Sequence, residues 1–494
     1  MSLPRVHTLV RDHPGLNPFL RHLDIPPHAP VYWHPNGHLH RYAENGEAQH
    51  IPITTSTLLN WIVRHDPDEL WSFWRHHLRG QRVLIEHTSI NPVHPLHLGS
   101  MRGTVIGSGL ARLFRSGGAQ VQTRYFVNDL GRQLHILQRA AGTARWDNAP
   151  TDLRYDEIVG VLYAFANMTL GRRAGDLARL GAEHPWLGKV VDLHRPLPAA
   201  ASIPELVRAM VAAAVTDMNH IGTRIDVFDY ETDLATQPDA VLALAEQGDL
   251  VRVNGTTCLR LPGGLVPVQR RDGSLLYFSR DIANTIRRRP ETWTAMLHVI
   301  GSDQNLLQTA LHHAVPHACL EHISFGQVTR AGRRYSARQN RLTTIPDLLR
   351  EGGPQRVHEY SLALALHRRT RPIDIAHLDT ARPLRTVLAA SHAGGRVGVD
   401  RGAHPDLLRR LMITLLGTPS VLARDIDRRT VHGTARHLLL LSRHYTAATH
   451  TGPVPDELGE WFRRTHTRLL DLLGVPPHAT ESSSSTTEFT KVSA

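Results

Sequence analysis

Cysteine is almost missing from this 494-residue chain, which holds only Cys258 and Cys319. That excludes a disulfide framework, and also a zinc site built of cysteines alone. Lysine is as scarce: with only Lys189 and Lys491 present, arginine supplies nearly all of the 56 basic residues. No apolar run reaches the ~20 residues that span a bilayer. The N-terminus, MSLPRVHTLVRDHPG, carries no apolar signal-peptide core. A cytoplasmic protein with no membrane contact is therefore expected.

What is present is a globular composition, 41% hydrophobic and 20% charged. At roughly 150 residues per domain, the length predicts about two to four domains. The formal net charge is +11. Codon bias explains why the bases are arginines, but not why bases outnumber acids. The excess favours a polyanionic partner such as nucleic acid. The segment HHAVPHACLEH, residues 312–322, has the look of a metal site, but histidine is abundant throughout, with 34 in all. No metal is expected.

Along the chain, residues 1–80 are mixed. Within them STLLNWIVRHDPDELWSFWRHHLRG reads as helix with a break at Asp66–Pro67. RVLIEHTS is a buried strand. A helix starts near Leu98, with Met101, Val105, Ile106, Leu110 and Leu113 near one face, and stops at Gly117–Gly118. VQTRYFVND is the next strand, so the unit is βαβ and the sheet parallel. Residues 135–260 read as a large insertion with helices at 154–170, 203–222 and 238–247, followed by two short strands within 251–268. TAMLHVIGS, a helix behind it, and ISFGQVT as one strand resume the αβ alternation. From about residue 355 the pattern is all helical, and 478–494 is a low-complexity tail expected to be disordered.

NPVHPLHLGSMRG, residues 91–103, places a histidine and a bare glycine at the mouth of that first long helix. A helix N-terminus carries unpaired N–H groups and about half a positive charge, so it suits a phosphate. His97 can add a ring N–H, and Gly99 lets a ring or phosphate approach the backbone. The stretch therefore reads as a nucleotide site at the carboxyl end of the first strand of an α/β sheet.

The same line resembles the start of the class I arginyl-tRNA synthetase catalytic domain. The E-x-x-S-x-N strand end is here Glu86, Ser89 and Asn91. The HIGH-type motif is Pro95-Leu96-His97-Leu98-Gly99-Ser100, and the G-D-W-G-x-Q segment is Asn128-Asp129-Leu130-Gly131-Arg132-Gln133. Downstream, DGSLLYFSRDIA, HVIGSDQNLLQTAL and FGQVTRAGRRYSARQNRLTTIPDLL resemble further family segments, the last holding a KMSKS-type loop. RLLDLLGVPPHA resembles the end of the family's anticodon-binding bundle. The likeness runs in family order from about residue 82 to 477.

The resemblance implies an α/β fold: a Rossmann-like parallel-sheet catalytic domain of the class I synthetase type over 81–350, with an all-α anticodon-binding-type bundle over 355–477. It implies ATP-dependent activation of L-arginine and transfer to tRNA. ATP with Mg2+ would be a substrate rather than a tightly bound cofactor, and the protein a monomer. ATP would lie at His97, Gly99, Ser100 and Gly301. The loop carrying Arg334, Ser336 and Arg338 would close over its phosphates. Asp281 would pair with the substrate guanidinium, Tyr277 would border it, Asn91 and Gln304 would hold the amino acid's polar groups, and Glu86 would support the site. Tyr277 and Asp281 lie four apart at a helix start, so they can face one pocket. Read from their residues alone, Asp281 is equally a helix-start carboxylate, and Glu86 one half of an ion pair.

The chain also departs from the family. The second histidine of the HIGH-type motif is Ser100. Arg334 and Arg338 stand where lysines are usual, and His94 stands where some members carry a compensating lysine. Leu130 replaces an aromatic, and residues 1–80 match no family domain. Arginine is not a simple substitute for lysine, being larger and fork-shaped. Two alternatives stay open: a paralogue supplying activated arginine or arginyl-tRNA to a biosynthetic pathway, and a non-catalytic regulator that binds tRNA or arginine.

Overall fold

The computed structural model describes residues 8–10, 18–23, 31–33, 39–42, 47–51, 53–142, 144–191, 202–234, 250–261, 264–340, 342–393 and 403–476. At the N-terminus four short strands, Thr8–Val10 (β1), Val31–Trp33 (β2), Leu39–Tyr42 (β3) and Ala48–Ile51 (β4), form an antiparallel sheet in chain order. The helices Thr55–Arg64 and Pro67–Trp74 follow. They break where the sequence predicts, because Pro67 removes an N–H and Asp66 caps the second helix by accepting from the Asp68 N–H at 2.7 Å.

The centre of the molecule is a five-stranded parallel sheet. Its strands are Arg82–Glu86 (β5), Gln120–Val127 (β6), Val227–Tyr230 (β7), Ala295–Gly301 (β11) and Leu320–Phe325 (β12). Their order is β12-β11-β5-β6-β7. The chain starts in the middle, winds out through β6 and β7, then returns to the other side for β11 and β12. The direction of winding reverses between β5 and β11, and the carboxyl ends of those two strands flank the crevice where ligands bind in such folds. The Leu98–Ser116 helix links β5 to β6 and is buried along almost its whole length. Gly107 lets it lie this close: a Cβ there would come within 2.3 Å of the His87 Cβ.

The stretch expected as one insertion is divided. Helices Arg132–Gly142, Tyr155–Leu170, Ala174–Glu183 and Leu187–Val190 enclose their own apolar core around Ile158, Leu162, Met168 and Leu180. The Ile203–Asn219 helix leads back from them, and β7 then rejoins the central sheet beside β6. Beyond it, Leu250–Val253 (β8), Thr256–Leu261 (β9) and Gly264–Gln269 (β10) make a three-stranded antiparallel sheet where two strands were expected. The helix expected at 238–247 lies outside the described residues.

ISFGQVT is two strands rather than one. β12 ends at Phe325, and Val328–Arg330 (β13) joins Arg333–Arg334 (β14) and Ile373–Asp374 (β15) in a separate small sheet. Gly326 makes the break, its N–H donating to the Arg369 carbonyl at 2.7 Å. The C-terminal helices begin with Ile345–Ala365, which kinks at Gly352–Gly353–Pro354 close to the expected boundary at 355. Ala381–Ser391, Pro405–Leu416, Thr418–Asp427, His432–Thr451 and Asp456–Leu473 complete the bundle. The N-terminal helices dock on its last member: the Trp461 indole donates to the carbonyls of Ile62 and His65, each at 3.1 Å, and Arg464 pairs with Asp66 at 2.9 Å. The low-complexity tail, 478–494, lies outside the described residues. Among the described residues no helix is long and apolar enough to cross a membrane.

Candidate active site

The chain leaves β5 through a backbone that few sequences tolerate. Thr88 and Ser89 both have positive φ, 72° and 33°. A β-branched residue in that region is strained. Hydrogen bonds hold the turn: Thr88 Oγ1 meets His87 Nδ1 at 2.8 Å and Thr104 Oγ1 at 2.9 Å, and Ser89 Oγ donates to Glu86 at 3.2 Å. The loop then runs to His97, which caps the Leu98–Ser116 helix.

This cap changes the expected chemistry. The N–H of Leu98 donates to the Thr343 carbonyl at 2.9 Å, and that of Met101 to the His97 carbonyl at 2.8 Å. The N–H groups of Gly99 and Ser100 both donate to His97 Nδ1, at 3.0 and 3.3 Å. The His97 N–H donates to the Ser100 hydroxyl at 3.3 Å, so the N–H groups of His97, Leu98, Gly99 and Ser100, which precede the first intrahelical bond, are all engaged by protein atoms where open groups were expected. Ser100 is occupied as well, its hydroxyl donating to the His97 carbonyl at 2.9 Å. Because Nδ1 accepts twice, the ring proton sits on Nε2. Burial, and then the nearby His94 ring, hold the His97 pKa well below its ordinary value. His97 is therefore a neutral ring with an Nε2–H able to donate to a ligand. His94 is buried too, its pKa lowered first by that burial, so it brings no standing charge in place of a lysine.

The first inserted helices brace this loop. A Cβ on Gly160 of the Tyr155–Leu170 helix would stand only 3.3 Å from Pro95, and Arg154 ties this unit together, pairing with Asp217 and with Asp156 at 2.5 Å each. The same unit grips the second signature loop. The Arg179 guanidinium donates to the Gln339 carbonyl at 2.5 Å, and the Asn340 side chain bonds His184 at 2.8 Å. Arg334 is exposed on β14, and Ser336 is half-buried. Tyr335, between them, stacks on the His97 ring.

Beside these loops opens a cleft of about 560 Å³. Asn91, Asn128, Glu231 and Arg338 lie on its wall, and Arg132, Arg173, Arg270 and Arg280 join them. Among the described residues Glu231 is its one carboxylate. It is 1% exposed and pairs with Arg280 through Oε1 at 2.9 Å. Its second oxygen, Oε2, is buried with no hydrogen-bond partner among the described residues. Burial pushes the Glu231 pKa up to about 7 against the pull of Arg280.

Behind the wall lies a buried ionic network. Arg288 bonds Glu86 at 2.6 Å and Asp229 at 2.7 Å, and Arg124 bonds Asp229 at 2.8 Å. Burial opposes the charge on Glu86, but the Arg288 guanidinium outweighs it and leaves the carboxyl below its usual range. Asp281 sits close enough to feel Glu86, Arg288 and Glu231. Burial, then Glu86, push its pKa up to about 7.

The structure thus brings Asn91 and Arg338 together on the cleft, with Gly99 against the His97 ring and Tyr335. Glu86 is the buried half of an ion pair, behind the wall rather than on it. Asp281 is buried close to both Glu86 and the wall residue Glu231. Gly301 ends β11, and Gln304, in the turn after it, bonds Asp303 at 3.0 Å; neither is among the residues lining the cleft. Tyr277 begins the Tyr277–Arg287 helix, with its side chain outside the described residues. The sequence reading missed Glu231, Arg280 and Arg173. Glu231 follows a four-residue strand inside the supposed insertion, and the acid-rich stretch DYETD was the signal available there. Among the described residues no group of three or more His, Cys, Asp or Glu could hold a metal ion.

A profile of the family "tRNA synthetases class I (R), catalytic domain" matches residues 74–360. An arginine–tRNA ligase of Sulfurisphaera tokodaii is 26% identical over 343 residues, covering 55% of each chain. One from Methanothermobacter thermautotrophicus is 29% identical, over 80% of this chain and 77% of its own. The chain spans about half the length of several curated relatives it matches. Among solved structures, the fold is similar to arginyl-tRNA synthetase of Thermus thermophilus, with TM-score 0.65, 18% identity, and 88% and 87% of the two chains covered. It is also similar to a putative arginyl-tRNA synthetase of Campylobacter jejuni, with TM-score 0.60, 16% identity, and 87% and 100% covered. A switch-point cleft, a HIGH-type histidine cap and a profile match over more than half of the length lead to one conclusion: the chain belongs to the class I arginyl-tRNA synthetase family.

Proposed function

We propose that this protein activates L-arginine with ATP and transfers it to tRNA. A carboxylate oxygen of arginine attacks the α-phosphorus of ATP, and pyrophosphate leaves with the bridging oxygen. A ribose hydroxyl at the tRNA 3′ end then attacks the arginyl carbonyl, and AMP leaves. The substrate is itself the nucleophile, so the protein has only to position two ligands and spread phosphate charge. His97 Nε2–H and Arg338 are assigned to the phosphates, together with Gly99, Ser100, Gly301, Arg334 and Ser336 along the two signature segments. Asn91 and Gln304 are assigned to the polar groups of arginine. Tyr277 is assigned to border its side chain, and Asp281, supported by Glu86, is assigned to its guanidinium together with Glu231.

The observation that carries this reading is Glu231: a buried carboxylate with an unpaired oxygen, on the wall of a cleft otherwise rich in arginine. A guanidinium is the ligand that such an oxygen best receives. The magnesium expected with ATP would arrive on its phosphates, since the cleft wall offers one carboxylate already paired with Arg280. The net charge of +11 suits a tRNA partner. The reading carries with it a cytoplasmic location and action as a monomer.

Aminoacylation of a total tRNA pool with each amino acid in turn tests it. Charging with arginine alone is expected. Charging with a different amino acid would overturn the assignment. Tight tRNA binding without any turnover would favour a regulator instead.

A further inference from the structure

We infer that Asp374, which lies beyond the first bundle helix, is a positioning residue for the reaction: it holds the hairpin that presents Arg334 and Arg338 to the phosphates. This rests on the assignment of that loop to ATP above.

The hairpin is too short to hold itself. β13 and β14 pair at two positions, Thr329 with Arg334 and Arg330 with Arg333. Ala331 and Gly332 alone make the turn between them, and both have positive φ, 49° and 73°. A two-residue turn of that kind favours Asn-Gly, because asparagine tolerates the left-handed region far better than alanine does. Ala331 is therefore strained in its place. A lone two-stranded hairpin is marginal in water even when it is longer than this.

The missing support comes from Asp374. Its Oδ1 accepts the Ala331 N–H at 2.9 Å, and its Oδ2 accepts the Gly332 N–H at 2.6 Å. Among the described residues no other side chain bonds this turn. The N–H groups of Gly332 and Ala376 hold the Asp374 carboxyl below the usual carboxylate range, so it is ionised at neutral pH. Hydrogen bonds to an ionised acceptor are the stronger kind. Asp374 also stands in register with Thr329, in the parallel pairing of β13 and β15.

The same strap grips the base of the loop. The Gly326 N–H donates to the Arg369 carbonyl at 2.7 Å. From the Leu98–Ser116 helix, the buried Arg102 guanidinium donates to the carbonyls of Gly326 at 2.6 Å and Arg368 at 3.0 Å. Base and tip are thus fixed from residues 368–374, while Arg334 and Arg338 are themselves exposed. A long exposed side chain reaches a phosphate reproducibly only from a fixed backbone, and a misplacement of about 1 Å can cost about a hundredfold in rate.

ATP–pyrophosphate exchange on the full chain tests this, together with hydrogen–deuterium exchange read over residues 328–335. Asp374→Ala is expected to lower kcat at least about tenfold, to leave the KM for arginine within about twofold, and to quicken amide exchange in the hairpin. Ala331→Asn supplies the turn residue that needs no clamp. Added to Asp374→Ala, it should return kcat to within about threefold of wild type and restore amide protection. A carboxylate that merely stabilised the fold would be indifferent to residue 331. An unchanged kcat in Asp374→Ala would overturn the inference, as would a loss that Ala331→Asn leaves unrepaired. Should Asp374→Ala not fold, Asp374→Asn keeps one accepting oxygen, and its rescue by Ala331→Asn decides the matter in the same way. Absence of arginine-dependent exchange in wild type would signal failure of the functional reading itself. Amide exchange then decides the clamp separately, and unchanged protection in Asp374→Ala would overturn it.

Discussion

The ring of Tyr335 lies stacked on the ring of His97, with 5.5 Å between centroids and 15° between planes. The two signature segments, more than two hundred residues apart in sequence, therefore meet face to face. A Cβ on Gly99 would stand 3.6 Å from the same tyrosine. The ring thus covers the backbone that the sequence reading reserves for ATP.

Nucleotide entry there requires Tyr335 to move. A stacked aromatic pair contributes about 0.5–1.5 kcal/mol beyond its buried area. Tyr335→Ala is therefore expected to lower the KM for ATP by up to about tenfold while leaving the KM for arginine unchanged. Steady-state kinetics in each substrate would show it, and an unchanged or raised KM for ATP would count against the stack as an obstacle.

His97 does two things, and they can be separated. His97→Ala removes a helix cap, at about 1 kcal/mol, and also the Nε2–H donor, at about a hundredfold or more in kcat. His97→Asn keeps an oxygen able to accept from the Gly99 and Ser100 N–H groups. It should restore the melting temperature without restoring the rate. Recovery of both would mean that His97 is only a cap.

The buried network makes a stability prediction. Arg288→Met leaves Glu86 and Asp229 inside with no cation at 2.6 and 2.7 Å. Loss of one partner from such a pair costs about 3–5 kcal/mol, measurable by denaturant unfolding near pH 7. Both carboxyls have lowered pKa values in the fold, through Arg288 acting against burial. Their contribution is present above the ordinary carboxylate range and is lost as pH falls through it. The penalty of Arg288→Met should therefore shrink at acid pH. Glu86→Gln combined with Arg288→Met should cost less than the single change.

Glu231 gives the opposite sign. Its pKa is pushed up to about 7 by burial. Below that value the carboxyl is protonated and cannot pair with a guanidinium, and above it the charge is present. Arginine affinity should rise as pH increases through about 7 and then level off. Asp281, also raised to about 7, adds to the same change. Because the unfolded chain ionises these groups at lower pH, their burial lowers stability as pH rises through this window. Titration calorimetry across about pH 6–8, roughly a unit either side of that value, is the check, and Glu231→Gln should flatten most of the profile.

The inserted helices should matter to ATP more than to arginine. His184 and Arg179 hold Asn340 and Gln339 of the second loop. Asn340→Ala and His184→Ala are each expected to raise the KM for ATP several-fold with little effect on the KM for arginine. That size matches the loss of one hydrogen bond of about 1 kcal/mol.

Much of this architecture was legible locally. The helix start at Leu98, the break at Asp66–Pro67 and the strands β5, β6 and β11 follow from periodicity, caps and breakers, which act over a few residues. What was hidden depends on partners far away in sequence. β7 is four residues long and carries Asp229, which is buried only because Arg124 and Arg288 meet it there. Placing it in an insertion concealed Glu231, two residues further on. The closure of the helix N-terminus was equally hidden, since it depends on the His97 ring turning back and on Thr343 arriving from the second loop. Glu86 as an ion-pair partner was among the readings of its residue type. Which arginine would meet it was not, because Arg288 lies 202 positions away.

The account rests on a cleft that receives a guanidinium at Glu231 beside nucleotide held at His97. ATP–pyrophosphate exchange, with and without tRNA, tests it most directly in wild type and Glu231→Gln. Exchange dependent on arginine, absent with the uncharged analogue citrulline, and reduced at least about a hundredfold in Glu231→Gln is the predicted result, the size expected when a buried charged bond of about 3 kcal/mol is lost. Exchange that citrulline supports equally, or that survives intact in Glu231→Gln, would contradict it.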